Sequence, residues 1–78
     1  MPRVLFFGPA AEATGTRQAE VPGSSVAEVV ASAVARYGDP LAELLPTCRV
    51  WVNGEPADDG AAVRHDDEVA VLPPVSGG

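Results

Sequence analysis

The sequence predicts an α+β domain in which a mixed β-sheet packs against a single helix. One helical segment with a clear start and end spans residues 25–38 of the 78-residue chain. Two short apolar runs precede this segment and further apolar runs follow it, which is the pattern of strands on either side of a helix. With one cysteine the chain has no internal disulfide, so a hydrophobic core must stabilise the domain.

The N-terminal part predicts two strands joined by a loop. Residues 4–7 (Val-Leu-Phe-Phe) form a compact β-favouring run that ends at a Gly-Pro pair. We predict a loop over residues 8–17 with Gly15 at its turn, and a weaker strand over residues 18–21. Two runs separated by a loop favour an antiparallel hairpin.

The helix is the clearest local prediction. Ser25 and Glu28 have the spacing of a capping box, in which both side chains bond backbone donors of the first turn. Gly38 is suited to the C-terminal cap, and Pro40 prevents continuation. Residues 41–45 carry three leucines and predict a short extra turn over one end of the core. One helical face carries the apolar positions Val26, Val29, Val30, Ala33, Val34 and Tyr37.

The C-terminal half predicts the remaining strands. Residues 48–52 form a strand, and the Asn53-Gly54 pair that follows is a strong hairpin signal. Pro56 places the returning strand at a sheet edge, because proline cannot donate to the ladder. Residues 68–72 form the last strand before two prolines.

This ββαββ order predicts a β-grasp, or ubiquitin-like, domain. The right-handed crossover rule places the last strand parallel to the first. A ferredoxin-like fold needs a second helix, and the sequence offers none of useful length. We therefore predict a β-grasp domain over residues 1–72 and a flexible C-terminal tail over residues 73–78.

Charge and composition limit the classes of partner. Eleven acidic and five basic side chains give a net charge of −6, which disfavours nucleic-acid binding and favours a partner with basic residues, although an acidic surface also simply aids solubility. All five basic residues are arginines, so no side chain can accept an isopeptide bond. No signal peptide or membrane span is visible, and we expect a soluble, cytoplasmic protein.

Strand parity predicts an apolar outer sheet face. Side chains alternate between the two faces of a strand. The set expected to face the helix is Val4, Phe6, Val50, Val52, Val69 and Val71. The opposite face, expected to bind a partner, would carry Leu5, Phe7, Trp51, Ala70 and Leu72. Exposed apolar patches that contain tryptophan mark interaction sites, unless a loop covers them or the small domain tolerates the exposure.

The end of the chain predicts a reactive tail. Gly77 and Gly78 lack a Cβ atom, so the terminal carboxylate is sterically open and can enter a narrow channel. It is ionised at neutral pH and becomes an acyl donor only after activation. Pro73 and Pro74 favour an extended start, and residues 73–78 can span roughly 20 Å. The alternative is a frayed chain end.

Several segments together are similar to those of a known family. They are Phe6-Phe7, the capped Val-rich helix, Val50-Trp51-Val52-Asn53-Gly54, Asp67-Glu68-Val69 and Leu72-Pro73-Pro74-Val75-Ser76-Gly77-Gly78. The chain thereby resembles the MoaD/ThiS ubiquitin-like sulfur carriers over essentially its whole length. The Pro-Pro pair is most similar to the MoaD branch, the small subunit of molybdopterin synthase, because thiamine-type carriers usually lack it.

The resemblance implies a carrier without catalytic residues of its own. An E1-like adenylating enzyme of the MoeB type would use ATP to activate the Gly78 carboxylate. A sulfurtransferase would supply sulfur to give a thiocarboxylate. The tail residues Pro73, Pro74, Val75, Ser76 and Gly77 would then deliver Gly78 into the large, MoaE-type synthase subunit. No bound cofactor is implied.

Three other functions remain open. A carrier for thiamine or cysteine biosynthesis would use the same chemistry. A ubiquitin-like modifier would use the same adenylate but form amide bonds to target lysines, with Gly78 at the isopeptide link. A plain β-grasp binding module would need neither terminal glycine.

The remaining candidate residues favour structural roles. A lone strand cysteine such as Cys48 is more often a small core hydrophobe than a reactive group. His65 stands beside two aspartates in a predicted solvated loop. No metal-loop spacing is present, so we predict no metal site. The acidic residues that could contact a basic partner are Asp58, Asp59, Asp66, Asp67 and Glu68.

Overall fold

The computed structural model describes residues 1–73 of the chain. Five strands lie in this part: β1 (Arg3–Phe6), β2 (Gln18–Glu20), β3 (Arg49–Val52), β4 (Glu55–Pro56) and β5 (Glu68–Leu72). Its helices are α1 (Pro9–Thr14), α2 (Val26–Tyr37) and α3 (Asp39–Leu44), and a 3₁₀ turn follows at Leu45–Thr47. No helix of residues 1–73 is both long enough and apolar enough to cross a membrane.

The five strands form one mixed sheet in the order β2-β1-β5-β3-β4. β1 pairs in parallel with β5, with Val4 opposite Val69 and Phe6 opposite Val71. The other neighbouring pairs are antiparallel. The predicted β-grasp topology is confirmed, including the parallel central pair and the position of Pro56 on an edge strand.

Helix α2 begins close to the predicted cap. The Ser25 hydroxyl accepts a hydrogen bond from the Glu28 backbone N–H at 3.2 Å. The Glu28 carboxylate, however, accepts from the Ser24 N–H and Ser24 hydroxyl, both at 3.0 Å, rather than from the backbone of Ser25. These bonds lower the pKa of the Glu28 carboxyl, with the Ser24 N–H contributing most. At the other end, the Gly38 N–H donates to the Val34 carbonyl at 2.7 Å.

The core lies between the sheet and α2. Val4, Phe6, Val69 and Val71 are at most 2 % exposed, in agreement with their predicted parity. The α2 side chains Val26, Val29 and Ala33 and the α3 side chain Leu41 are also buried. Val50 and Val52 pack against this core but remain partly exposed near the sheet edge. Each fully buried valine, leucine or phenylalanine contributes about 1.5–3 kcal/mol, so this layer is the main source of stability.

The prediction of a loop over residues 8–17 is wrong, because α1 spans Pro9–Thr14. Proline is favoured at the first helical position, and the alanines that follow are strong helix formers. Gly15 adopts the left-handed conformation at the C-terminus of α1 (φ 76°), and its N–H donates to the Ala11 carbonyl at 2.9 Å. Ala10 is buried, so the helix is anchored on the core.

The β3–β4 hairpin is tied to β5 by a side-chain network. Asn53 has a positive φ of 50°, as the predicted Asn-Gly turn requires. Its side-chain oxygen accepts from the Glu68 N–H, and its amide nitrogen donates to the Asp67 carboxylate, each at 3.0 Å. The same carboxylate accepts from the Arg64 N–H at 2.8 Å. The network therefore fixes the loop that leads into β5.

We expect Gly23→Ala to destabilise the domain by about 1–3 kcal/mol, because the added methyl group has no space. A Cβ atom at Gly23 would lie 2.6 Å from the Val29 backbone nitrogen and 3.0 Å from the Glu28 carbonyl carbon. Chemical denaturation measures the loss. Gly60→Ala is the matched control, since a Cβ atom there meets nothing within 4 Å. Equal stability of the two variants would contradict this packing.

We expect Asp67→Asn to flatten the acid limb of the stability curve. The hydrogen bond from the Arg64 N–H, followed by that from Asn53, lowers the pKa of the Asp67 carboxyl in the folded state. Its stabilising contribution is therefore complete at neutral pH and is lost as the pH falls below about 4.

Denaturation midpoints measured between neutral pH and about pH 2 test this expectation. The control is Asp66→Asn, because Asp66 makes no side-chain hydrogen bond within residues 1–73. A pH dependence that Asp67→Asn leaves unchanged would be the contradictory result.

Candidate functional site

The five side chains predicted for the outer sheet face lie together on that face. The strand register places Leu5, Ala70 and Trp51 opposite one another across three neighbouring strands. Leu72 lies two residues beyond Ala70, and Phe7 follows directly after β1. Leu5, Trp51, Ala70 and Leu72 are half-buried, while Phe7 is 43 % exposed. We call these five residues the outer apolar face.

The outer apolar face is separate from the core. Its side chains alternate along β1 and β5 with the fully buried ones, and none of them belongs to the core cluster. Their partial exposure leaves apolar surface accessible on the side of the sheet opposite α2. Such a surface is suited to a protein partner.

Charged residues border the outer apolar face at one end. Arg3 lies between Glu20 and Glu68 in the strand register, and its guanidinium is 3.5 Å from the Glu68 carboxylate. Both side chains are about half exposed, so the pair contributes only about 0–1 kcal/mol to stability. At the other end, Arg49 pairs with Leu72 in the register. The border thus offers both charge signs to a partner.

The tail begins at the end of this face where Arg49 lies opposite Leu72. β5 is the central strand, and its parallel pairing with β1 brings the C-terminal ends of both strands together. The Phe7 N–H donates to the Val71 carbonyl at 3.2 Å, so Phe7 stands beside the end of β5. Pro73 follows Leu72 and is half-buried. The predicted tail residues Pro74, Val75, Ser76, Gly77 and Gly78 lie outside the described residues.

A groove that the sequence did not reveal lies beside β3. It is open to solvent, because β4 is only two residues long and leaves part of β3 uncovered. Val30, Leu45 and Val50 contribute apolar walls, and Asp58 and Asp59 lie on its rim. The groove forms where three separate segments meet, so no local sequence pattern marks it.

The other candidate residues occupy structural or exposed positions. Cys48 packs partly against the core, and burial raises the pKa of its thiol, which disfavours the nucleophilic thiolate. His65 and Asp66 are exposed. Within residues 1–73, no group of three or more His, Cys, Asp or Glu side chains is arranged to hold a metal ion. The buried side chains of this part are apolar.

Comparison with a curated sequence identifies a relative over nearly the full length. The molybdopterin synthase sulfur carrier subunit of Arabidopsis thaliana is 35 % identical over an alignment of 80 residues. The match covers 97 % of this chain and 81 % of the relative.

Comparison with solved structures finds the same fold in proteins from three organisms. SAMP1 from Haloferax volcanii has a TM-score of 0.78 at 29 % identity and covers 99 % of this chain and 98 % of its own. A chain of the Amycolatopsis orientalis BexX/CysO complex has a TM-score of 0.84 at 25 % identity, with full coverage of both chains (100 %). A chain of the complex of subunits 1 and 2 of the molybdopterin-converting factor from Helicobacter pylori has a TM-score of 0.72 at 26 % identity, covering 99 % and 97 %.

The family assignment follows from a match over most of the chain. The sequence profile of the ThiS family matches residues 4–78, which include all of β1 except Arg3, and the terminal Gly-Gly. Family match, fold and the curated relative agree, and this chain belongs to the ThiS/MoaD family of ubiquitin-like sulfur carriers.

Proposed function

We propose that this sulfur carrier supplies sulfur for molybdopterin synthesis as the small subunit of a molybdopterin synthase. The observation that carries the proposal is the place where β5 ends. Leu72 and Pro73 lie at one end of the outer apolar face, and Phe7 stands beside the end of β5. The similarity to the Arabidopsis carrier subunit supports the choice of pathway. The Helicobacter complex supports a large subunit as the partner.

The chemistry takes place at the Gly78 carboxylate. One carboxylate oxygen attacks the α-phosphorus of ATP on an E1-like, MoeB-type enzyme, and pyrophosphate leaves. The persulfide sulfur of a sulfurtransferase then attacks the acyl carbon and displaces AMP, which forms an acyl disulfide. A thiol cleaves the S–S bond, so the thiocarboxylate is released and the thiol ends in a disulfide. Each step uses groups of the partner enzymes and requires from this chain only an accessible terminus.

The body of the carrier positions that terminus in each partner. The outer apolar face docks beside the entrance of the partner's channel, and residues 73–78 enter it. Six extended residues span roughly 20 Å, which is enough to reach a buried catalytic site. Gly77 and Gly78 pass the narrowest point because they have no side chain. Proline at the start of the tail lowers the entropic cost of insertion. The negative net charge favours partners with basic docking surfaces.

A protein-modifier function is the second candidate. The likeness to SAMP1, a small archaeal modifier protein, favours it, since both chains share fold and length. A modifier would transfer the activated Gly78 acyl group to a lysine of another protein. Because this protein has no lysine, it cannot form polymers in which one copy is joined to a lysine side chain of another copy. Covalent adducts with other proteins would distinguish a modifier from a carrier.

We expect deletion of Gly78, or Gly78→Ala, to abolish sulfur transfer and leave the fold intact. Deletion shortens the tail by one residue, so the terminal carboxyl carbon no longer reaches the catalytic site of the partner. A methyl group at position 78 obstructs the narrowest part of the channel. Molybdopterin formation by the reconstituted synthase, together with mass analysis of the thiocarboxylate, measures the effect. Gly60→Ala is the control, because a Cβ atom at Gly60 would meet nothing within 4 Å and Gly60 lies outside the tail. Normal thiocarboxylate formation without Gly78 would contradict the mechanism.

We expect Phe7→Glu to weaken binding to the large synthase subunit by at least tenfold, about 1.4 kcal/mol or more. Phe7 is the most exposed member of the outer apolar face, so a charge there costs little in the free protein but is desolvated in the complex. Titration calorimetry measures the affinity. Ala31→Glu adds the same charge to an exposed position of α2, away from the sheet, and should bind normally. Unchanged affinity of Phe7→Glu would place the interface elsewhere.

A further inference from the structure

Pro73, the first residue of the tail, lies next to a glycine that no sequence pattern marked as functional. Gly8 follows β1 and precedes α1. A Cβ atom built on Gly8 would lie 3.5 Å from Pro73 Cγ and 3.8 Å from Pro73 Cβ. The Pro73 ring therefore faces the side of Gly8 where any other residue would carry its side chain, at an ordinary contact distance from a Cβ atom there. The first residue of the tail and the junction between β1 and α1 are direct neighbours.

Gly8 is held in place from both sides. Its neighbour Phe7 donates its N–H to the Val71 carbonyl at 3.2 Å and accepts at its own carbonyl from Ala10 at 3.1 Å. The Gly8 carbonyl accepts from the N–H groups of Ala11 and Glu12 at 3.0 and 3.2 Å. These bonds tie Gly8 to the end of β5 and to the first turn of α1, so it forms a fixed surface beside the tail.

The backbone at this position also selects glycine. Gly8 has φ 55° and ψ −129°, a combination that residues with a Cβ atom rarely adopt. An alanine would bear the backbone strain but would meet Pro73 only at an ordinary contact distance. A valine adds two methyl groups beyond a Cβ atom that is already 3.5 Å from the Pro73 ring, so it crowds that ring more than an alanine does. Gly8→Ala therefore tests the effect of backbone strain, whereas Gly8→Val tests backbone strain together with displacement of Pro73.

We propose that Gly8 is a positioning residue for the reaction at Gly78, because its contact with Pro73 sets the direction in which the tail leaves the sheet. The inference rests on the proposed function, in which the tail must enter a partner's channel while the outer apolar face docks. A tail aimed correctly in the free carrier raises the fraction of binding-competent molecules, and the apparent affinity rises in proportion. Gly8 touches no reacting atom and acts through Pro73.

The kinetic test uses activation of the full chain by the adenylating enzyme. Gly8→Val should raise the KM for the carrier roughly tenfold and leave kcat within about twofold, because misdirected tails lower the competent fraction without altering bound chemistry. Gly8→Ala should show a much smaller rise. Gly38→Val is the matched control: Gly38 also has a positive φ (84°) with an extended ψ (−162°), but it lies between α2 and α3, and its nearest contact is Pro40. It should lose stability without a change in KM.

A double-mutant cycle separates positioning from general destabilisation. In a Pro73→Ala background the ring is absent, so Gly8→Val should have little further effect on KM. The expected result is strong non-additivity between positions 8 and 73 and additivity between positions 38 and 73. Equal effects of Gly8→Val with and without the Pro73 ring would overturn the proposal, and so would a KM rise in Gly38→Val.

An NMR measurement on the free chain tests the same contact without any enzyme. Nuclear Overhauser effects between the Gly8 α-protons and the Pro73 ring protons are expected in the unmodified chain. Gly8→Val should shift the backbone amide resonances of Val75 and Ser76, whereas Gly38→Val should not. If these signals behave as expected but no enzyme adenylates the chain, the proposed function fails while the role of Gly8 in directing the tail stands. Absence of the Gly8–Pro73 effect overturns that role whatever the enzyme does.

Discussion

The parallel pairing of β1 with β5 is the constraint on which the rest of the molecule depends. It joins the first and last strands at the centre of the sheet, where Val4 pairs with Val69 and Phe6 with Val71 against α2. A central strand cannot shift its register by one residue without exposing its buried side chains. The point at which the tail leaves β5 is therefore as rigidly defined as the core. The proposed delivery of the terminus to partner enzymes therefore starts from a fixed origin at the end of β5.

The same pairing makes the sheet apolar on both sides. Alternation along β1 and β5 sends one set of side chains to α2 and the other, including Leu5 and Ala70, to the outer apolar face. A sheet covered by a helix on one side normally carries polar residues on the other. Here the apolar character continues to the tail through Leu72 and Phe7. The outer apolar face thus continues to Pro73, the first residue of the proposed reactive tail, which suits the proposed delivery of that tail to partner enzymes.

Sequence patterns predicted the elements whose signals are local and missed those that depend on tertiary contacts. The capped α2, the Asn53 turn and the parity of β5 follow from spacing and turn chemistry alone. Helix α1 was missed because Gly8-Pro9 was interpreted as a break. Gly8 in fact precedes the helix, and Pro9 occupies its first position. The groove beside β3 and the Gly8–Pro73 contact join segments distant in sequence, so neither leaves a local pattern. The chemistry proposed for Gly78 rests on the chain end and the family resemblance.

The most direct test of the carrier function is the intact mass of the full chain isolated from cells that make molybdopterin. A sulfur carrier should yield a species in which one oxygen is replaced by sulfur, and fragmentation should place that sulfur at Gly78. This species should also disappear when the adenylating enzyme is removed. A chain that carries only the ordinary carboxylate, or that carries added sulfur on Cys48 instead, would contradict sulfur transfer through Gly78.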